Sequence, residues 1–78
     1  MAKVFQKVLD DLENAIDTFG HRYHACLSWY EDSDTKEKEF TKSFLDNARY
    51  WLDCRNECVR KFNKIKGKTV YDQWTFPY

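Results

Sequence analysis

Two runs of the chain carry apolar residues on a helical rhythm, and each calls for a long amphipathic helix. In the first, Phe5, Leu9, Leu12, Ile16, Phe19, Tyr23, Cys26 and Tyr30 recur at alternating steps of four and three, with Val8, Ala15 and Trp29 beside them. In the second, Leu45, Ala48, Leu52, Val59 and Phe62 keep the same rhythm, and Arg55 takes the one slot where an apolar residue is due. Phe44, Trp51, Cys58 and Ile65 form an adjacent column. The second stripe is therefore wider than a two-helix seam needs, and it wants a second neighbour.

The pattern predicts a helix over about 3–31, a turn at 32–34, a helix over about 35–66 and a tail at 67–78. Gly20 costs a helix interior about 1 kcal/mol relative to alanine, but the rhythm passes through it in phase, so one unbroken helix is expected there. Glu31, Asp32, Ser33 and Asp34 compete with helical backbone. Ser33 or Asp34 is then the expected N-cap of the second helix, with Glu37 and Glu39 near its positive end. Lys61, Lys64 and Lys66 suit the negative end of that helix, and Gly67 offers a left-handed terminal residue.

So short a connection makes the helices antiparallel neighbours. The expected fold class is all-α: an antiparallel helical hairpin with an ordered aromatic C-terminal tail. The tail serves as third element of a monomer, or the hairpin dimerises into a four-helix bundle. A turn centred near Ser33 also predicts a register in which facing residues have numbers totalling 66 to 68. Arg55 then meets Glu13, Arg22 meets Asp46 and Arg49 meets Asp17, three pairs of opposite charge. A buried Arg55 paired with Glu13 marks the register as a polar residue does in a coiled coil; the other reading packs its methylene stem on the seam and sends its head to water.

Seventy-eight residues make one small domain, and an aromatic content of 18% raises the burial available to it. Thirteen basic and thirteen acidic residues cancel, so no bulk field draws the whole chain to nucleic acid or an anionic membrane. Charge is nonetheless clustered, with acid at Asp10, Asp11, Glu13 and Asp17 and base at Arg60, Lys61, Lys64, Lys66 and Lys68. Three cysteines, two of them four residues apart, read as reduced thiols of a cytoplasmic protein. No leader pattern or membrane-length apolar run is visible, so a soluble chain is expected.

The chemistry-bearing side chains point away from catalysis. His21, His24, Cys54 and Cys58 have zinc-like spacings, but the expected register puts His24 about eleven residues from Cys54 along the axis, roughly 16 Å. Cys26 occupies a core slot and His24 points elsewhere on the helix, so no activated thiol is expected. Gly20 and Gly67 are the only glycines, which excludes a glycine-rich phosphate loop. The acidic cluster without a concave site is read as a solvated face. No metal, cofactor or catalytic residue is assigned.

Five large apolar side chains lie within the last ten residues, too many to leave in water. They cover the second helix or enter a partner, and Tyr71, Trp74, Phe76 and Tyr78, with Trp51, are the candidate partner-binding residues. The expectation is a small non-enzymatic interaction protein, an inhibitor or adaptor that occupies a surface of a larger protein. That class includes the host-takeover and counter-defence proteins that viruses of bacteria encode. The alternative is nucleic-acid binding, with Arg60, Lys61, Lys64, Lys66 and Lys68 on phosphates and the tail aromatics stacked on unpaired bases.

Overall fold

A computed structural model describes residues 2–33, 39 and 41–78, the side chains of 2–4 excepted. Helix α1 runs from Ala2 to Asp32 and helix α2 from Lys42 to Lys66, and they pack as an antiparallel hairpin. The molecule measures 55 × 18 × 14 Å. Its length is that of one long helix, since 31 residues at the usual rise span about 46 Å.

The expected apolar positions form the seam in two clusters. Leu9, Ile16, Val59 and Phe62 make one, and Tyr23, Cys26, Ala48 and Leu52 the other. Gly20 lies between Ile16 and Tyr23 in α1, helical and buried, so the helix continues through it as the rhythm implies. A Cβ there would stand 3.2 Å from Cη2 of Trp74, closer than such contacts ordinarily come. The glycine thus makes room for a tail side chain, which outweighs its propensity cost.

Helix α2 begins at Lys42, seven residues later than the expected Thr35. Thr41 stands at its N-cap position, and its carbonyl accepts the amide of Phe44 at 2.9 Å. Ser33 closes α1 instead of opening α2: its amide donates to the Tyr30 carbonyl and its hydroxyl to the Trp29 carbonyl. The proposed cap Asp34, the expected start Thr35 and Glu37 lie outside the described residues. At the other end Gly67 is left-handed at φ 72°, with its amide on the Asn63 and Lys64 carbonyls, and Lys64 and Lys66 occupy the last turn as expected.

The later start moves the register. Phe19 stacks on Trp51 and Trp29 meets Phe44, pairs whose numbers total 70 and 73, and Cδ of Arg55 lies 3.8 Å from the Cβ position of Gly20. The helices are therefore displaced from the expected alignment, and at Arg55 the neighbour on α1 is Gly20 in place of Glu13, one heptad of the apolar repeat away. None of the three expected ion pairs forms. Among the described residues the pairs within 4 Å are His21 with Asp17 and Lys61 with Glu57, both one turn apart on a single exposed helix face. Arg22 lies over the Trp51 ring, 4.7 Å from its centroid, while Arg49 approaches Phe76 at 6.0 Å.

The tail is the third element. From Thr69 to Tyr78 it has no regular secondary structure and returns along the groove between the helices as a strap. Two asparagines one heptad apart on α2 bind its backbone. The Asn63 side chain accepts the amides of Val70 and Tyr71 at 2.9 and 3.2 Å and donates to the Tyr71 carbonyl at 2.9 Å. Asn56 accepts the Trp74 amide at 3.0 Å and donates to its carbonyl at 2.9 Å. A primary amide carries an acceptor and donors side by side, so each asparagine substitutes for a paired strand that the strap lacks.

Candidate functional site

Arg55 organises the groove side. Its side chain is only 5% exposed, and the guanidinium lies on the Trp74 ring with Cζ 3.4 Å from the ring centroid. Nη1 donates to the carbonyl of Asp72 at 3.0 Å. Both sequence expectations for this residue are corrected: it neither pairs with Glu13 nor sends its head into water. The strap supplies an aromatic face and a carbonyl, a partnership that helix periodicity has no means of signalling. Burial pulls the Arg55 pKa down, opposed by the Asp72 carboxylate and the Tyr71 phenol.

Above it runs a cleft of about 400 Å³ between α1 and the strap, with Glu13, Asp17, His24, Arg55, Tyr71 and Trp74 among its lining residues. Tyr71 is half-buried edge-on against Phe62, and its hydroxyl donates to Oε1 of Glu13 at 2.6 Å. That bond, with burial, raises the phenol pKa, because a neutral hydroxyl donates where a phenolate would be repelled. Trp74 is half-buried and also meets Tyr23 and His24, with centroids 5.8 and 5.0 Å away. Phe76 packs on the cluster of Tyr23, Cys26, Ala48 and Leu52. Tyr78 is 59% exposed, edge-on to Tyr30, and its hydroxyl donates to Glu31 at 3.0 Å.

Of the five proposed partner-binding residues, the structure thus brings Tyr71, Trp74, Phe76 and Tyr78 together on the chain's own groove. Trp51 lies elsewhere. It belongs to the opposite face, half-buried between Phe19, the edge of Tyr50 and the guanidinium of Arg22. The column of Phe44, Trp51, Cys58 and Ile65 is not what the strap covers. Its Ile65 is 40% exposed, Trp29 and Tyr50 next to it are 57% and 60% exposed, and toward the start of α1 Phe5 is 53% and Val8 40% exposed. The half-buried part of this face, Phe44 and Trp51, was legible as the second apolar column; Tyr50 and the placement of Trp29 beside it were not, because neither belongs to that column and the pattern does not say which side the tail takes.

The histidines and cysteines separate across these two faces. His24 packs beside Trp74 on the strap side, while Cys54 and Cys58 line a crevice with Phe19 on the other. The actual register shortens the axial offset expected between them, yet they point in different directions. Among the described residues no group of three or more His, Cys, Asp or Glu side chains is placed to hold a metal ion. All three cysteines are free thiols, and burial raises the pKa of Cys26 and, with smaller charge effects, of Cys58.

The basic residues Arg60, Lys61, Lys64, Lys66 and Lys68 are exposed around the end of α2, with Lys61 beside Glu57. Among the described residues no helix is long and apolar enough to cross a membrane. Comparison with protein-family models, with curated proteins and with solved structures gives no match to this chain.

Proposed function

We propose that this chain is a non-enzymatic protein-interaction module, an inhibitor or adaptor that occupies a surface of a larger protein through the uncovered face of its hairpin. The observation that carries this reading is the exposure of Trp29 and Tyr50 beside half-buried Phe44 and Trp51, on the side away from the strap. Aromatic side chains with an apolar body and a polar edge are the residue types that dominate binding hot spots. A helical backbone holds them, so docking needs little ordering of the main chain.

The strap takes a supporting part in this reading. Its aromatic rings are engaged with α1 and α2, which leaves Tyr71, Trp74 and Phe76 poorly disposed to stack on bases. The nucleic-acid alternative then rests on a cluster of lysines at a helix C-terminus, where lysine is favoured for its interaction with the dipole.

The test pairs Trp29→Glu with Tyr50→Glu. Both side chains are exposed, so circular dichroism and melting should match the parent chain. A partner captured by the parent chain in the cells that produce it, then purified, should bind the double variant at least about tenfold more weakly in calorimetry, a loss of 1.4 kcal/mol. Undiminished affinity in a folded double variant refutes the assignment. So does light scattering that finds the parent chain paired with a second copy through this face.

A further inference from the structure

The cleft under the strap contains an arginine whose hydrogen-bonding capacity is largely unused. Stacking on Trp74 covers one face of the Arg55 guanidinium and leaves its in-plane donors free, since those point along the ring plane. Among the described residues the Asp72 carbonyl is the hydrogen-bond acceptor it meets, through Nη1. The Asp72 carboxylate acts on it only at longer range, outside ion-pair distance. Among the described residues no side-chain nitrogen or oxygen is both sealed from the surface and unpaired. Nε and Nη2, which have no hydrogen-bond partner among the described residues, therefore each keep a narrow contact with the surface, and the opening beside Arg55 is the cleft that it lines.

A fork of this kind matches a carboxylate, which accepts two parallel N–H bonds. The rim sets a second condition. Glu13 and Asp17 stand one helical turn apart on the α1 wall of the same cleft, where Glu13 has one oxygen committed to Tyr71 and Asp17 has one oxygen 3.5 Å from Nε2 of His21, itself a lining residue. Two carboxylates repel a simple anion on its way to Arg55, yet they suit a ligand that carries a cation at its other end. The cleft volume of about 400 Å³ is within the range of small-molecule sites.

We propose that the cleft between α1 and the strap binds a small zwitterion of the amino-acid class, with its carboxylate on the Arg55 fork and its ammonium on Glu13 and Asp17. Such a ligand bridges α1, α2 and the strap, because Arg55 is itself held by Trp74 and Asp72. Binding should then tighten the strap as well as fill the cleft.

Calorimetry and thermal melting on the intact chain test this with glycine, 4-aminobutyrate, lysine and glutamate as zwitterions, and with acetate and ethylammonium as the separate halves. At least one zwitterion is expected to bind and to raise the melting temperature, with an affinity at least about tenfold above that of either half. Glu13→Gln combined with Asp17→Asn keeps an acceptor for Tyr71 and removes the rim charge, so it should lower that affinity about tenfold or more. Arg55→Lys keeps a cation without the fork and should do the same; if this variant melts without cooperativity, the rim variant carries the test. Failure of every zwitterion to bind, binding of acetate as tight as that of the zwitterions, or unchanged affinity in the folded rim variant overturns the proposal. These outcomes leave the docking face untouched, since Trp29 and Tyr50 lie on the other side.

Discussion

If Arg55 is stabilised by Trp74 and not by a carboxylate of α1, the two residues must be energetically coupled, and a double-mutant cycle measures that coupling directly. The perturbations are Arg55→Met, which keeps the stem that fills the stripe, and Trp74→Leu, which keeps an apolar contact near Gly20. The guanidinium carbon is 3.4 Å from the ring centroid and the arginine is 5% exposed, so the cation–π contact is desolvated and worth about 2 kcal/mol. Trp74→Leu alone removes this term and part of a half-buried ring, and should cost about 2–3 kcal/mol. In that background a buried guanidinium without its aromatic cover is a liability, so Arg55→Met should be neutral or stabilising there. In the parent chain the same change should destabilise. Urea unfolding followed by circular dichroism gives the four free energies, and Asn56 and Asn63 keep the strap docked while the ring is changed. A coupling of about 2 kcal/mol corresponds to roughly 8–16 °C in melting temperature for a chain of this size. The matched cycle of Arg55→Met with Glu13→Ala should be additive within about 0.5 kcal/mol. Additivity between Arg55 and Trp74, or strong coupling between Arg55 and Glu13, refutes the argument.

Asn63→Ala removes three hydrogen bonds to the strap and should cost about 1–3 kcal/mol, with faster hydrogen exchange at the Val70 and Tyr71 amides as its local signature. The two glycines should respond for different reasons. Gly20→Val drives a branched side chain into Trp74 and should destabilise by about 1–3 kcal/mol with an altered tryptophan emission, whereas Gly67→Ala meets no side chain and should cost about 1 kcal/mol for its positive φ alone. Stability should fall on the alkaline side. The Tyr71 and Tyr78 phenols are held above the ordinary tyrosine value of about 10 by hydrogen bonds to Glu13 and Glu31. A folded-state pKa above the unfolded one contributes stability that is complete below pH 10 and lost as pH rises through the folded value. The melting temperature should therefore fall more steeply above pH 10 for the parent chain than for Tyr71→Phe, with no such difference between pH 8 and 10.

How much of this was legible in the sequence depends on which symmetry each signal respects. Apolar periodicity assigns residues to faces, and it placed Leu9, Ile16, Tyr23 and Cys26 opposite Ala48, Leu52, Val59 and Phe62 with α1 unbroken at Gly20. That signal is unchanged when one helix slips past the other by seven residues, because the same faces still meet. Register was therefore inferred from the connection alone, and the polar run at Glu31–Asp34 set an alignment that puts Glu13 opposite Arg55, a heptad from its actual neighbour Gly20. The apparent charge pairs of Arg55, Arg22 and Arg49 agreed with that alignment because acidic residues are spread along both helices. Surface charge pairs of such small worth do not select a register.

An all-α hairpin, its two seam faces and the stop at Gly67 could be read from the residues alone, whereas the expectation that the tail covers the second apolar column failed. The first three depend on local propensity and on periodicity, which each residue carries with it. The start of α2 at Lys42, the register, the side of the hairpin that the strap covers and the partner of Arg55 emerge only in the folded chain. Those depend on where a free-running tail returns in space, and its amide hooks, Asn56 and Asn63, look like ordinary polar residues of a helix until the tail lies across them.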